Sequence, residues 1–565
     1  MYRPSEEARR IYDLLCQNSE RLGLPSEIYS SRVQFQANSD TIYYPIPFKV
    51  TETLAALKGI EGALAALIAD LQSASKPHER KTTINLERAT LFGFQALAAK
   101  INGYSRSDPK VKRYMKDEDT DIHAAQSNPY RRMAASMYRT KHDNEFFHLH
   151  GSLNPTSTLK MLGLDSHRAD LTDYDEIINT IQSQVQKFSA AELERLNETN
   201  RQAGVTVYEY EEFKNTPHGR TNIEEPWWKV MRLPGKTPPA AFNPSGSHRI
   251  LEGVKVLELC CVIAGPMIGR TLAEYGADVL KVTSPTVPDV PFFQVDNNMG
   301  KRAVELDLKA DEDRRHFEAL LADVDVIIDG YRPGALRKLG YSPETMAAMA
   351  EKRGKGIVYI DETCFGHEGE WCHRPGWQQI ADCLTGFARC HGRFLGRAAE
   401  PMVSPLPIAD SGAGCMGAIA ALTGLYNRIR YGGSYIGQVS LMQFNLLLFA
   451  VGQYPNSTES QLQHAFAPAF SKLRFCDSVG RSSVLALEVM RERFPHLFVE
   501  PSPGDRQNSL TEIWYSHHYG ADVEVVRPVA EIEGVENGFA RATRPNGADA
   551  SPSWDFPQEQ GSRKL

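Results

Sequence analysis

The 565-residue chain has no run of about 18 or more uncharged apolar residues, the length a membrane span requires. An apolar stretch such as Leu446-Leu447-Leu448-Phe449-Ala450-Val451 is core-sized. Excess positive charge is lacking too: 63 Lys+Arg stand against 70 Asp+Glu, a net −7, which excludes a charge-driven nucleic-acid binder. The nine cysteines are scattered and odd in number, so no disulfide framework is expected. Residues 1–7 lack the apolar region of a signal peptide and the acid-poor character of a transit peptide, and the expected location is cytoplasmic. The closing Lys564-Leu565 pair is like a peroxisomal address, but Arg563 stands where that address has a small residue. Gly-x-Ser-x-Gly and His-Glu-x-x-His motifs are missing, which weighs against a serine hydrolase or a zinc protease.

What is present is ordinary globular composition, 42% hydrophobic and 24% charged, in a chain long enough for several cores. Pro- and Gly-rich stretches over 225–246 and from Arg544 onward read as linkers. They suggest three parts: 1–240, 241–470 and 471–565. An internal repeat is also visible. Pro45-Ile46-Pro47 followed by an Ala/Leu-rich helix is matched by Pro405-Leu406-Pro407 followed by another. In this match Asp410 of the second copy corresponds to Val50 of the first, so only one copy holds a carboxylate there.

The second copy carries alternating strands and helices. Residues 254–259 read as a strand, 267–275 as a helix opened by Gly265-Pro266, and 278–282 as a second strand, a parallel crossover unit of about 30 residues. A helix over 312–322 and strands over 324–328 and 356–360 follow, while 298–309 alternates like an edge strand. Ligands in open α/β sheets bind beyond the carboxyl ends of strands, so the loops after Leu259, Val282, Ile328 and Ile360 are the expected site. The first of them lacks the Gly-x-Gly-x-x-Gly spacing of a dinucleotide fingerprint. Lys301, Arg302 and Lys309 are candidate phosphate partners or plain solvated charges. Asp410, before Ser411-Gly412-Ala413-Gly414, reads either as a helix cap or as a nucleophilic carboxylate that helix amides keep ionised. Cys364, His367, Cys372, His373, Cys390 and His391 match no common zinc spacing, and no metal is expected.

Taken in order, five blocks resemble the type III coenzyme A transferases. They are 251–266, 276–282, 300–309, Asp325 to Gly334, and Ile408-Ala409-Asp410-Ser411-Gly412-Ala413-Gly414. Residues 137–151 resemble the entry to that family's smaller domain. The resemblance implies an α/β fold: a doubly wound, Rossmann-like CoA-binding domain plus a smaller α/β domain in an interlocked architecture. Here it would be internally duplicated, with a degenerate first copy that makes the protein either a pseudo-dimeric monomer or a homodimer. It implies transfer of CoA between an acyl-CoA and a carboxylic acid, with Asp410 as nucleophile through mixed-anhydride and aspartyl-CoA intermediates. CoA contacts are implied for Ile263, Ala264, Leu306, Asp307, Leu308, Lys309, Gly330, Tyr331, Arg332 and Lys338. Trp377 and Gln378 are implied to border the thioester. Ser284 stands where some members have Arg, and the Gly-rich loop that covers the nucleophile in formyl-CoA transferase is replaced by the stretch from Ala467 to Arg474. The alternatives are an acyl-CoA racemase, isomerase or dehydratase-like enzyme, and a silent CoA-binding member. Trp377 occupies the place of the racemase His and cannot exchange an α-proton.

Overall fold

The computed structural model describes residues 2–30, 32–72, 80–115, 121–242, 247–397, 399–501 and 509–555. In the first part, β1 (Arg32–Gln36) and β2 (Lys81–Asn85) pair in parallel, connected through the helix Val50–Gln72. The short β3 (Lys100–Ile101) precedes a small antiparallel sheet of β4 (Met137–Arg139), β5 (Phe146–His148) and β6 (Val205–Thr206). After β7 (Lys229–Arg232) come the strands of the main sheet: β8 (Lys255–Leu259), β9 (Asp278–Thr283), β10 (Arg302–Glu305), β11 (Val326–Asp329), β12 (Val358–Thr363) and β13 (Tyr435–Ser440). The chain closes with β14 (Thr511–Ser516), β15 (Ala521–Val526) and β16 (Ala530–Ile532).

The main sheet runs β10-β9-β8-β11-β12-β13-β7, parallel throughout except for β7 at one edge. Its strands are apolar on both faces, as a covered parallel sheet requires. Val256, Val279, Val326 and Ile328 meet Met267, Ile268 and Leu272 of the helix Ala264–Glu274. Leu257, Leu280 and Ile327, one register position away, meet Phe317 and Leu320 of the helix Asp311–Leu321 and Met346 of the helix Pro343–Lys352. Chain direction across the sheet reverses between β8 and β11, and a crevice opens at their carboxyl ends.

The helix Ile408–Tyr431 carries Gly412, Gly414 and Gly417, a Gly-x-Gly-x-x-Gly spacing that here lies inside a helix and serves packing. A Cβ on Gly414 would meet Met267 Cβ at 2.8 Å, and one on Gly417 would meet Ile268 Cδ1 at 2.4 Å. The missing side chains let this helix and Ala264–Glu274 approach closely. Ile408–Tyr431 is long and apolar enough to cross a membrane, but 94% of its most apolar window is buried inside the protein as a core helix.

β1, Val50–Gln72, β2 and the helix Leu86–Phe92 follow one another with the strands parallel; β12, Ile408–Tyr431, β13 and the helix Leu441–Val451 do likewise, except that the helices Gln378–Leu384 and Phe387–Phe394 stand between β12 and Ile408–Tyr431. The two long helices pack on each other. A buried polar network ties them to Ala264–Glu274: Lys58 pairs with Glu61 at 2.9 Å, and Glu61 accepts from Tyr275 Oη at 3.0 Å. Burial pushes the nearby Glu274 carboxyl up to about 7.

The divisions expected at 240 and 470 are crossed by hydrogen-bonded strands. β7 joins the main sheet beside β13, β16 pairs with β2, and β15 pairs with β3. Linker composition marks where a chain turns polar and leaves an element, not which strand it pairs with next. Lys301 and Arg302 are also not free to meet phosphates. Lys301 is fully buried and paired with Glu258 at 2.6 Å, and Arg302 is buried and paired with Asp278 at 2.8 Å.

Candidate active site

Loops at the carboxyl ends of β8, β9, β11 and β12 line a cavity of about 500 Å³. Ile263 and Ala264 reach it from the start of Ala264–Glu274, and Leu306, Asp307, Leu308 and Lys309 from the turn after β10. Gly330, Tyr331 and Arg332 follow β11, and Lys338 ends the short helix Ala335–Lys338. Trp377, Asp410 and Ser284 complete the sequence-derived set in this cavity. Gln378 lies instead on an adjoining cavity of about 100 Å³, which Asp410 and Trp377 also line. Lys309, Arg332 and Lys338 are exposed, and among the described residues none has an ion-pair partner. Such cations suit the phosphates of an anionic ligand.

Close backbone approach shapes the floor of the site. A Cβ on Gly330 would meet Cys260 Cβ at 2.8 Å, and Gly265 Cα lies 3.6 Å from the same point. Val262, between β8 and the helix, has φ +68°, a left-handed conformation that a β-branched residue adopts only under strain. It is held there from both sides: its N–H donates to Asp289 Oδ1 at 2.9 Å, and its carbonyl accepts from Asn297 Nδ2 at 2.6 Å.

Asp410 sits in the first turn of Ile408–Tyr431, at the junction of the two cavities. The helix amides that were expected to keep it ionised are otherwise engaged. Ile408 N–H donates to Leu406 O, Ser411 N–H to Pro407 O, and the Ala409 and Asp410 N–H groups to Gln378 Oε1 at 3.0 and 3.4 Å. Gln378 is thereby the clamp on the helix start. Burial, reinforced by the charge of Asp382, pushes the Asp410 carboxyl up to about 8. Asp382 is itself raised to about 7 by burial, although it accepts from Ser404 N–H and Asn445 Nδ2. Glu362 at the end of β12 lines the larger cavity and is held well above the usual carboxylate range by burial and by the charges of Asp410, Asp361 and Asp329. A carboxyl of this kind is a poor resting anion and a strong nucleophile once deprotonated.

Residues from before position 240 supply walls that sequence reading missed. Trp377 Nε1 donates to Ser152 Oγ at 3.0 Å, and the His150 ring stacks on Trp377 with centroids 5.5 Å apart. Ser152, Leu153, Asn154 and His123 face the larger cavity, and Arg106, Arg132 and His150 the smaller. Burial pushes the His150 imidazole well below its usual range, so it lies neutral against the indole. The stretch 137–151, singled out in the sequence, does lead into this wall. Arg374, also on the larger cavity, is tied to Glu194 at 2.8 Å. Cys364, Cys383 and Cys390 are each buried, and among the described residues no three His, Cys, Asp or Glu side chains are grouped to hold a metal.

CoA-transferase family III matches residues 251–465. The chain is 32% identical over 533 residues to the acetyl-coenzyme A transferase nodX of Hypoxylon pulicicidum, spanning 90% of this chain and 86% of that protein. An acyl-CoA transferase of Gibberella moniliformis is 32% identical over 425 residues, 74% of each chain. The crystal structure of Rv3272 from M. tuberculosis aligns with a TM-score of 0.38 and 21% identity, over 53% of this chain and 97% of that one. With a relative this similar along most of both lengths, the chain is an enzyme that belongs to CoA-transferase family III.

Proposed function

We propose that this enzyme moves coenzyme A from an acyl-CoA to a carboxylic acid, with Asp410 as the covalent nucleophile. The observation that carries the reading is the position of Asp410, a carboxyl at the start of a helix where a cavity mouthed by Lys309, Arg332 and Lys338 meets a second, smaller cavity. The Rossmann-like crevice between β8 and β11 would hold CoA, with the three cations on its phosphates and Ile263, Ala264 and Tyr331 along its length. Ionised Asp410 attacks the thioester carbonyl. The C–S bond breaks, CoA leaves as thiolate, and a mixed anhydride remains. The thiolate attacks the aspartyl carbonyl, releasing the donor acid and leaving an aspartyl-CoA thioester. The acceptor carboxylate attacks that thioester to form a second anhydride, and the thiolate returns to its acyl carbonyl, freeing Asp410. Each bond broken is replaced by one of similar activation, so no nucleotide is consumed. Trp377, pinned by Ser152 and His150, would border the thioester.

In the same reading the first part of the chain is a degenerate copy that serves as a built-in partner. Val50 stands where Asp410 does and is fully buried, and the nearby Glu52 carboxyl is covered by the Tyr2 and Tyr454 hydroxyls at 2.8 and 3.2 Å. A solution mass near 63.1 kDa would agree with a self-paired monomer, and independent folding of 241–565 would count against it.

The test of the chemistry is trapping. Incubation with acetyl-CoA and hydroxylamine should convert Asp410 to a hydroxamate, detected by peptide mass spectrometry. Full CoA transfer by Asp410→Ala would sink the reading, and exchange of an α-proton with deuterated solvent without CoA transfer would replace it with proton-transfer chemistry.

A further inference from the structure

In the proposed mechanism CoA is bonded to Asp410 when the donor acid has left and the acceptor acid has yet to arrive. The larger cavity is then occupied by CoA, so acids need another way to that carboxyl. The smaller cavity offers one. It shares Leu97, Arg106 and Ser483 with a third cavity of about 200 Å³. This outer cavity lies between the segment from Leu97 to Ser107 and the helix Val479–Arg493, and its lining residues Ser107 and Val484 are exposed. The three shared residues form a neck, with Asp410 on its inner side. Among the described residues, none lines both the outer cavity and the larger one.

Charge along this path suits a carboxylate. Arg491 lines the outer cavity, Arg106 the neck and Arg132 the smaller cavity. Among the described residues lining the two cavities, Asp410 at the inner end is the one carboxyl. A cleft lined by charges of one sign concentrates ions of the other.

Gly480 leaves the outer cavity open without a structural need to be glycine. It stands in the first turn of Val479–Arg493 and lines that cavity. Beyond its own helix, a Cβ there would meet only Arg132 Nη2 at 3.5 Å and Ser478 Oγ at 3.9 Å, which is ordinary contact. Glycine weakens a helix relative to alanine, so neither packing nor helix propensity accounts for it. A longer side chain would start from the wall of the outer cavity beside an arginine of the smaller one.

We propose that carboxylic acids reach and leave Asp410 through the outer cavity and its neck of Leu97, Arg106 and Ser483, while CoA stays in the larger cavity. The inference rests on Asp410 as the carrier of CoA, and it adds the route of the second substrate.

The test is a reversible plug. In Gly480→Cys the introduced thiol is modified with benzyl methanethiosulfonate, and exchange of isotopically labelled acetate into acetyl-CoA is followed by mass spectrometry. Modification should slow exchange about tenfold or more beyond its effect on wild type treated in parallel, and dithiothreitol should restore it. Recovery on reduction separates a blocked route from a misfolded chain. Affinity for free CoA, measured by calorimetry, should be unaltered by the plug. Exchange that the plug leaves as fast as before, or a plug that weakens CoA binding as much as it slows exchange, overturns the inference. A second measurement needs no turnover. Relative to their rates with a small free thiol, anionic sulfonatoethyl methanethiosulfonate should modify the introduced thiol about tenfold or more faster than the cationic trimethylammonioethyl reagent, with saturating CoA as without it. A preference that is absent or favours the cation, or modification that CoA blocks, also overturns the inference. If wild type exchanges no acetate while the anion preference holds with CoA present, the route stands and the transferase reading falls.

Discussion

At the scale of single residues, the raised Asp410 carboxyl links activity to stability in opposite directions. In the proposed mechanism only the ionised form attacks, so kcat/KM for acetyl-CoA should climb from pH 6 to pH 9 with an apparent pKa near the value of about 8 set by burial. The sign for stability is the reverse. Between the ordinary Asp value of 3.8 and about 8 the folded chain binds a proton that the unfolded chain has lost, so this group's contribution falls as pH rises through that window. Asp410→Asn should therefore lose about 10³-fold or more in kcat. It should also melt above wild type, by a margin larger at pH 8.5 than at pH 5. Val262 supplies a second test. Its left-handed conformation costs about 1–3 kcal/mol, and Gly carries an entropy penalty of about 0.5–1 kcal/mol. Val262→Gly should thus stabilise the chain by about 1 kcal/mol in urea titration. The exposed trio Lys309, Arg332 and Lys338 can be read through salt. Changing all three to Ala should raise KM for acetyl-CoA about tenfold or more and flatten its dependence on ionic strength.

These residues differ in how readily the sequence revealed them. Asp410 and Trp377 sit at helix starts and the turns after β10 and β11 at strand ends, in short segments where a local pattern carries the information. Arg106, Arg132 and His150 carry no such pattern, because their place on the cavity that Asp410 also lines is created by packing between parts of the chain hundreds of positions apart. Lys301 and Arg302 failed for the opposite reason. They stand at the start of β10, whose alternating pattern looked like a solvated edge, but Lys301 turns inward onto Glu258 and Arg302 Nη1 donates to Ser553 O at 2.5 Å.

At the scale of elements, two helix contacts decide the fold. Gly417 faces Ile268 so closely that Gly417→Leu must part the helices Ile408–Tyr431 and Ala264–Glu274. The buried Lys58–Glu61 pair is the stronger test, since both side chains are almost fully enclosed. Glu61→Ala leaves the Lys58 ammonium against the Phe92 ring, 4.2 Å from its centre, without its hydrogen-bonded carboxylate, and should cost about 3–5 kcal/mol in chemical denaturation. The double change Lys58→Met with Glu61→Leu should recover most of that loss. The parallel strands and their crossover helices were legible because their period-2 and helical patterns are local. The pairing of β16 with β2 and of β15 with β3 was not, since nothing in a short strand names a partner several hundred residues upstream.

At the scale of the whole molecule, the chain is stitched from both ends. A fragment of residues 241–565 would lose β7 from the edge of the main sheet and would leave β15 and β16 without the strands they pair with. It would also lose Ser152 and His150 from behind Trp377. Such a fragment is expected to aggregate or to form a molten state, which binding of a hydrophobic dye and loss of near-ultraviolet dichroism would report.

The two-sided construction of the cavity has a consequence for inheritance. Where one gene segment encodes both faces of a site through symmetry, a single codon change alters every copy of both faces at once. Here Arg106, Arg132 and His150 on the smaller cavity come from one stretch of the gene, and Lys309, Arg332 and Lys338 at the mouth of the larger cavity from another. Under the proposed roles the first can drift toward new acids while the second keeps its carrier, so lineages can diversify what they activate without relearning how to activate it.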